Sequence, residues 1–267
     1  MFVSGPDFLS IFPVAFLAVL TRSGLVVGAA TLLLRTRLWQ ARRIYQRGFG
    51  DKQLRTEARA AAVVVIADAA AFAFVRSGGW LPFSKPTPGR TLFTVALLFA
   101  WYELWFYATH RVMHTRRLYR IHAHHHLAKV THPISSLNFG LVERGILLVG
   151  FLGFAALAAR VVPITLPGLV TYMMLNYVLN VWGHLNVELL PAGYGRSWMA
   201  RLFISTTFHA LHHARYTGHY GLFTPVLDRL FGTVFEDYPE VHARAATGNG
   251  LTTMGERVRT AAPPPIS

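Results

Sequence analysis

The sequence predicts an all-α integral membrane protein, a helical bundle of about four transmembrane helices, the last two forming a hairpin, under a histidine-rich helical cap. Three observations predict it. Hydrophobic residues make up 53% of the 267 residues and charged residues only 14%, against about 25% in an average globular chain. The apolar residues are gathered into runs of spanning length. The histidines gather at and beyond the ends of those runs, in groups with defined spacing.

The first run covers 8–34 and is interrupted by Arg22. A span needs about 20 residues, so the run suffices for one tilted helix, with Arg22 either snorkelling or marking a break between half-spans. The segment before it lacks Lys and Arg and so the basic region of a signal peptide. Residues 35–59 then hold eight basic residues, among them Arg35, Arg37, Arg42, Arg43 and Arg47. That excess places the loop in the cytoplasm. A second run, 60–75, contains Asp68, which should face protein or water rather than lipid. A turn-rich loop, GGWLPFSKPTPG, leads to a third run, 91–109, which runs directly into His110. Counting crossings, His110 returns to the cytoplasmic side. Residues 145–182 are apolar again, broken by Arg160 and Pro163, and read as a hairpin that brings the chain back to the side it left. The whole is organised as one membrane domain: 1–109 as spans and basic loop, 110–250 as the histidine-bearing region, and 251–267 as a disordered tail.

The net charge of +14 raises nucleic-acid binding, but the arginines lie in loops between apolar runs, which fits anionic lipid instead. There is no cysteine, so disulfides, iron–sulfur clusters and thiolate–zinc sites are excluded. Any metal must be held by His, Asp, Glu or water.

Residues 110–126 read HRVMHTRRLYRIHAHHH. His110 and His114 are four apart, and His122, His125 and His126 form an HxxHH group that recurs as His209, His212 and His213. At about 100° per residue, such positions share one face of a helix, so each group can aim its imidazoles at a common point. Neutral imidazoles suit iron, zinc and copper. His184, at the edge of an apolar segment, joins them as a candidate. His124 points about 200° away from His122 and is set aside, His132 before Pro133 reads as structural, and His242 reads as solvated in a polar tail. His219 is balanced between a further ligand and a residue that orients one. Phe93, Trp101, Trp105 and Phe106 either line a lipid cleft or, more simply, pack.

The order HRVMH, HAHHH, HLN, HALHH and then YGLFTPVLDRLFGTVF resembles the fatty acid hydroxylase/sterol desaturase family of membrane non-haem di-iron enzymes, over about Glu103 to Tyr238. The resemblance implies that His110, His114, His122, His125, His126, His184, His209, His212 and His213 are the metal ligands of a catalytic centre with two Fe ions and O2 as co-substrate. It implies hydroxylation or desaturation of a sterol-like or fatty acyl lipid drawn from the bilayer. It also implies an external electron donor of ferredoxin or cytochrome type, docked on the basic cytoplasmic face. Glu103 and Asp228 become candidates for orienting ligands, with a helix-packing carboxylate and an ion pair with Arg229 or another arginine as their plain alternatives. The chain departs from the family pattern at His219-Tyr220-Gly221 and His132-Pro133, where asparagine is common. Two other classes compete. A metal transporter would place ligands near the bilayer midplane, whereas these groups lie at span ends. A zinc hydrolase would carry a general-base glutamate, as in HExxH, and none is present.

Overall fold

The computed structural model describes residues 7–259. Helix α1 (Phe8–Leu33) opens where the Asp7 carboxylate accepts the Ser10 amide at 2.8 Å. It runs unbroken through Arg22, so the half-span alternative does not hold. Helix α2 (Asp51–Ser77) begins nine residues earlier than its apolar run, because residues 51–59, rich in charge, extend it past the membrane end. Helix α3 (Pro88–Met113) starts with Pro88 in its first turn and Thr87 as its cap. Helix α4 (Leu141–Ala158) and helix α5 (Leu166–Gly183) form the expected hairpin around 159–165. Helices α1 to α4 are long and apolar enough to cross a membrane, and α5 returns beside them. Among the described residues the β contacts are two isolated bridges, Arg43 with Val187 and Tyr45 with Leu251.

The hairpin is fitted to α3 by a wide turn. At 149–153 the α4 backbone loosens into a single π turn, which frees carbonyls. The Trp101 indole donates to Gly150 O at 2.8 Å and Trp105 to Ile146 O at 3.3 Å. Gly150 is required there, since a Cβ would overlap the Trp105 indole. Trp101 also stacks on Phe154 at 4.3 Å, and Phe93 is 43% exposed on the outside of the bundle. These aromatic side chains therefore pack or face outward.

All five helices meet the histidines with one end. α1, α3 and α5 finish there, and α2 and α4 begin there. Gln53 and Glu57 near the start of α2 bond Val130 O and Ser135. Helix α6 (Thr206–Arg215) carries the last histidine group, and helix α7 (Tyr238–Ala246) packs behind it. A first apolar core fills the bundle. A second, with Ile44, Tyr45, Phe208, Leu211, Tyr238, Val241 and Leu251, lies under α6 and α7. The basic loop thus contributes buried residues to the cap rather than merely crossing between spans. Of the expected tail, residues 251–259 are held to the body: Leu251 N donates to Ile44 O at 2.7 Å, and Val258 N to Asp237 at 3.0 Å. Residues 260–267 lie outside the described residues.

Candidate metal centre

The nine histidines expected as ligands come together, but not as the groups the spacing suggested. One cluster holds His110, His114, His122, His126 and His212, and the other His125, His184, His209 and His213. Within each, one ring nitrogen per residue lies within 4.8 Å of the others. Each HxxHH group is therefore divided, its first and last histidines going to one cluster and its middle one to the other. The helical wheel explains this for α6. His213 stands roughly 40° to one side of His209 and His212 roughly 60° to the other. The helix is a wedge between two sites, and aiming one group at one point was the wrong expectation. Residues 122–126 reach the same partition without being one helix: a turn at Tyr119–His122 is followed by a tighter one at His125–Leu127. The clusters adjoin, with the His126 ring of the first 4.9 Å from the His213 ring of the second.

Donors on the outer nitrogens turn the inner ones inward. Nδ1 of His110 donates to Tyr220 O (2.8 Å), of His184 to Asn180 O (2.7 Å), of His212 to Gly218 O (2.8 Å) and of His125 to Asn138 O (3.2 Å). His122 Nδ1 donates to the Glu143 carboxylate at 2.5 Å, both side chains being buried. A carbonyl or carboxylate can only accept, so these rings carry their proton on Nδ1 and present a lone pair on Nε2. His110 Nε2 and His122 Nε2 nevertheless stand 3.0 Å apart. Two lone pairs at that distance repel unless a cation lies between them. Protonation is an unfavourable answer. Burial, reinforced by neighbouring imidazoles, holds His122, His125, His126, His209, His212 and His213 well below the ordinary histidine value. Burial alone does most of the same at His114, lowered to about 2, and His184, lowered to about 4. His212 Nε2 is buried with no hydrogen-bond partner. Neutral imidazoles with converging, unused lone pairs are the donor set of a metal centre.

Several further residues hold these rings. Glu143 escaped the sequence reading because it sits at the polar edge of an apolar run; a carboxylate entering a hairpin helix beside Arg144 was the available signal. Asp228 accepts from Tyr220 N (2.7 Å), Gly221 N (2.7 Å) and Thr233 Oγ1 (2.6 Å). It thereby fixes the Tyr220 carbonyl that accepts the hydrogen bond from His110 Nδ1. Its alternative ion pair is not formed, since Arg229 turns to Ala200 O. Glu103 touches no histidine. It accepts from Phe223 N, Thr224 N and Thr224 Oγ1, so it ties α3 to the loop following α6, the helix-linking role. Glu188, also unforeseen, takes Thr207 N and Oγ1 at 3.1 and 2.7 Å and so caps the start of α6.

His219 belongs to neither cluster. Its Nδ1 donates to Phe208 O at 2.8 Å, its Nε2 accepts from Phe235 N at 3.0 Å, and its ring stacks on Phe208 at 3.5 Å. Both nitrogens are consumed, which excludes it as a ligand and makes it a brace for α6. Its backbone is left-handed, with φ 58°, a conformation asparagine tolerates more readily. His242 was expected in solvent and is fully buried, Nε2 standing 3.4 Å from Glu188. Tyr238, Val241, His242 and Ala245 form the inward stripe of α7, a periodicity hidden by the polar composition around it. His124 stays outside both clusters. His132 packs against Phe49 at 4.5 Å.

Residues 95–233 match the family model described as fatty acid hydroxylase. Among curated proteins the chain is similar to very-long-chain aldehyde decarbonylase GL1-6 of Oryza sativa subsp. indica, 32% identical over 155 residues, covering 55% of this chain and 24% of that protein. It is also similar to protein CER1-like 1 of Arabidopsis thaliana, 34% identical over 137 residues, covering 49% of this chain and 21% of that protein. The chain thus spans about a quarter of the length of these relatives. No solved structure matches.

Proposed function

Because the chain belongs to the fatty acid hydroxylase family, we propose that this integral membrane protein is an O2-dependent di-iron oxidoreductase that hydroxylates or desaturates a C–H bond of a lipid. The observation that carries the reading is the division of nine histidines into adjacent cages of five and four. Structural zinc is almost always tetrahedral, and five imidazoles exceed that need, whereas iron accepts them with room for O2. The relatives' names favour a long acyl chain over a sterol as substrate. The histidines face the cytoplasm, where an external ferredoxin or cytochrome meets a basic surface.

When bound, two irons supply the oxidising power that side chains lack. For hydroxylation, one atom of O2 enters the lipid as an alcohol and the other leaves as water, with two electrons and two protons from outside. Desaturation removes two hydrogens instead, and both oxygen atoms leave as water. The chain's own residues provide placement. Glu143 and the backbone carbonyls of Tyr220, Asn180, Gly218 and Asn138 hold ring protons outward, so the inner nitrogens stay deprotonated and fixed. The ligand side chains other than His114 are buried, which keeps water from the reacting centre.

The test is turnover of a long-chain aldehyde, acid or alcohol by the purified protein under 18O2 with a reduced ferredoxin. One labelled oxygen in a hydroxylated product, or an alkene formed only with O2, supports the proposal. Metal flux in vesicles without O2 consumption would favour a transporter, and water-derived oxygen in a cleaved ester a hydrolase.

A further inference from the structure

Arg22 remains without a role in the metal centre. It stands mid-way along α1, inside the bundle, with its side chain 12% exposed. Its buried Nε has no hydrogen-bond partner, and the nearest carboxylate oxygen, Asp68 Oδ2, is 3.9 Å from its Nη2. That carboxylate is already taken, since Arg144 grips both its oxygens at 2.6 Å. Glu143, the next acid along α4, is turned away to His122. Two guanidinium groups therefore share one carboxylate, and the Arg22 charge is left without a hydrogen-bonded counterion among apolar helices. The Tyr177 ring, 4.2 Å from the guanidinium, offsets part of it but accepts nothing from the fork of donors. Uncompensated charge at this depth is costly and marks function.

The charge faces a cavity. Arg22, Asp68 and Arg144 line a small space of about 50 Å³, room for a carboxylate head, with Tyr102, Tyr172 and Asn176. Arg22, Phe72 and Met173 are shared with an adjoining apolar groove of about 160 Å³ lined by Ala15, Ala18, Val19, Val170 and Met174. The small residues of α1 leave this groove between α1 and α5, and Val170 and Met174 are exposed on its rim. The cavity's height follows from two helices independently. Tyr102 precedes His110 by eight residues on α3, and Asn176 precedes His184 by eight on α5. Both place it about 12 Å below the metal centre.

We propose that this cavity binds the carboxylate of a long-chain lipid acid, which enters from the bilayer through the α1–α5 groove. A carboxylate supplies the missing counterion and two acceptor oxygens matched to a guanidinium fork, and the apolar groove takes the chain. The site stands whether or not the metal centre activates O2, and its test reads binding alone.

The full-length protein, iron-loaded in nanodiscs, is titrated with radiolabelled oleate and challenged with methyl oleate or oleyl alcohol. Saturable oleate binding, displaced by unlabelled oleate but not by the uncharged analogues, is expected. Arg22→Met should weaken it about tenfold or more, with iron content and melting temperature unchanged. Arg22→Lys, which keeps the charge without the fork, should fall between. Equal competition by methyl oleate, unsaturable partitioning, or wild-type affinity in a folded Arg22→Met protein would each overturn the proposal. The competition experiment on the unaltered protein decides the matter even if the variant does not fold.

Discussion

Glu143→Gln isolates one hydrogen bond in the centre. The amide keeps the shape of the carboxylate and can still accept from His122 Nδ1 through its oxygen, but it removes the charge from a 2.5 Å contact between two buried groups. Hydrogen bonds to charged groups contribute ~1.5–3 kcal/mol and neutral ones ~0.5–1.5. The loss bears on the electron density His122 offers a metal. Removal of such a partner typically lowers metal affinity about 10- to 100-fold, or roughly 1.4–2.8 kcal/mol. The loss should be lopsided, because His122 belongs to the five-histidine cluster and no member of the other four touches Glu143. Stepwise chelation of iron-loaded protein, followed by metal analysis, should show one ion leaving the variant at about 10- to 100-fold lower chelator and the second leaving as in the parent. Loss of both ions together, or of neither more easily, would refute the assignment of Glu143 to one site.

Other outcomes follow from the same geometry. His125→Ala and His212→Ala, one from each cluster, should each lower metal content and abolish turnover, whereas His124→Ala should keep both when metal and product are measured. Asp228→Ala removes an acceptor of three hydrogen bonds and should cost about 3–4 kcal/mol of stability in thermal melts, with weaker retention of metal. His219 is held neutral, its pKa lowered by burial to about 3. Below the unfolded value near 6.5 the unfolded chain takes up a proton that the folded one refuses, so folding loses stability as pH falls toward 3. The loss from this one group reaches about 2 kcal/mol at pH 5. The stability of His219→Gln should accordingly fall by that much less than the parent's between pH 7.5 and pH 5, and identical pH slopes would exclude the buried neutral histidine.

What the sequence made legible was what periodicity and hydropathy encode. The spanning helices, the hairpin around Arg160 and Pro163, and the nine histidines that converge all follow from local pattern. The division of each HxxHH group was present in the same wheel arithmetic, but only a second site gives the roughly 100° between His212 and His213 its meaning. The partners across long separations were not legible. Glu143 meets His122, Glu188 caps α6, and Asp228 reaches His110 through the Tyr220 carbonyl. Each depends on tertiary placement that no local spacing records. His242 and residues 251–259 were misjudged for a related reason: polar composition suggested solvent, yet α7 with Leu251, Met254 and Val258 closes the second core.

The most direct test of the account is the iron stoichiometry of the protein, purified in detergent and reconstituted anaerobically, read with a spectroscopic signature of coupling between irons. The divided cages predict two irons per chain, magnetically coupled, with one retained preferentially in Glu143→Gln. One metal per chain, or two irons without coupling, would contradict a paired centre built from these nine histidines.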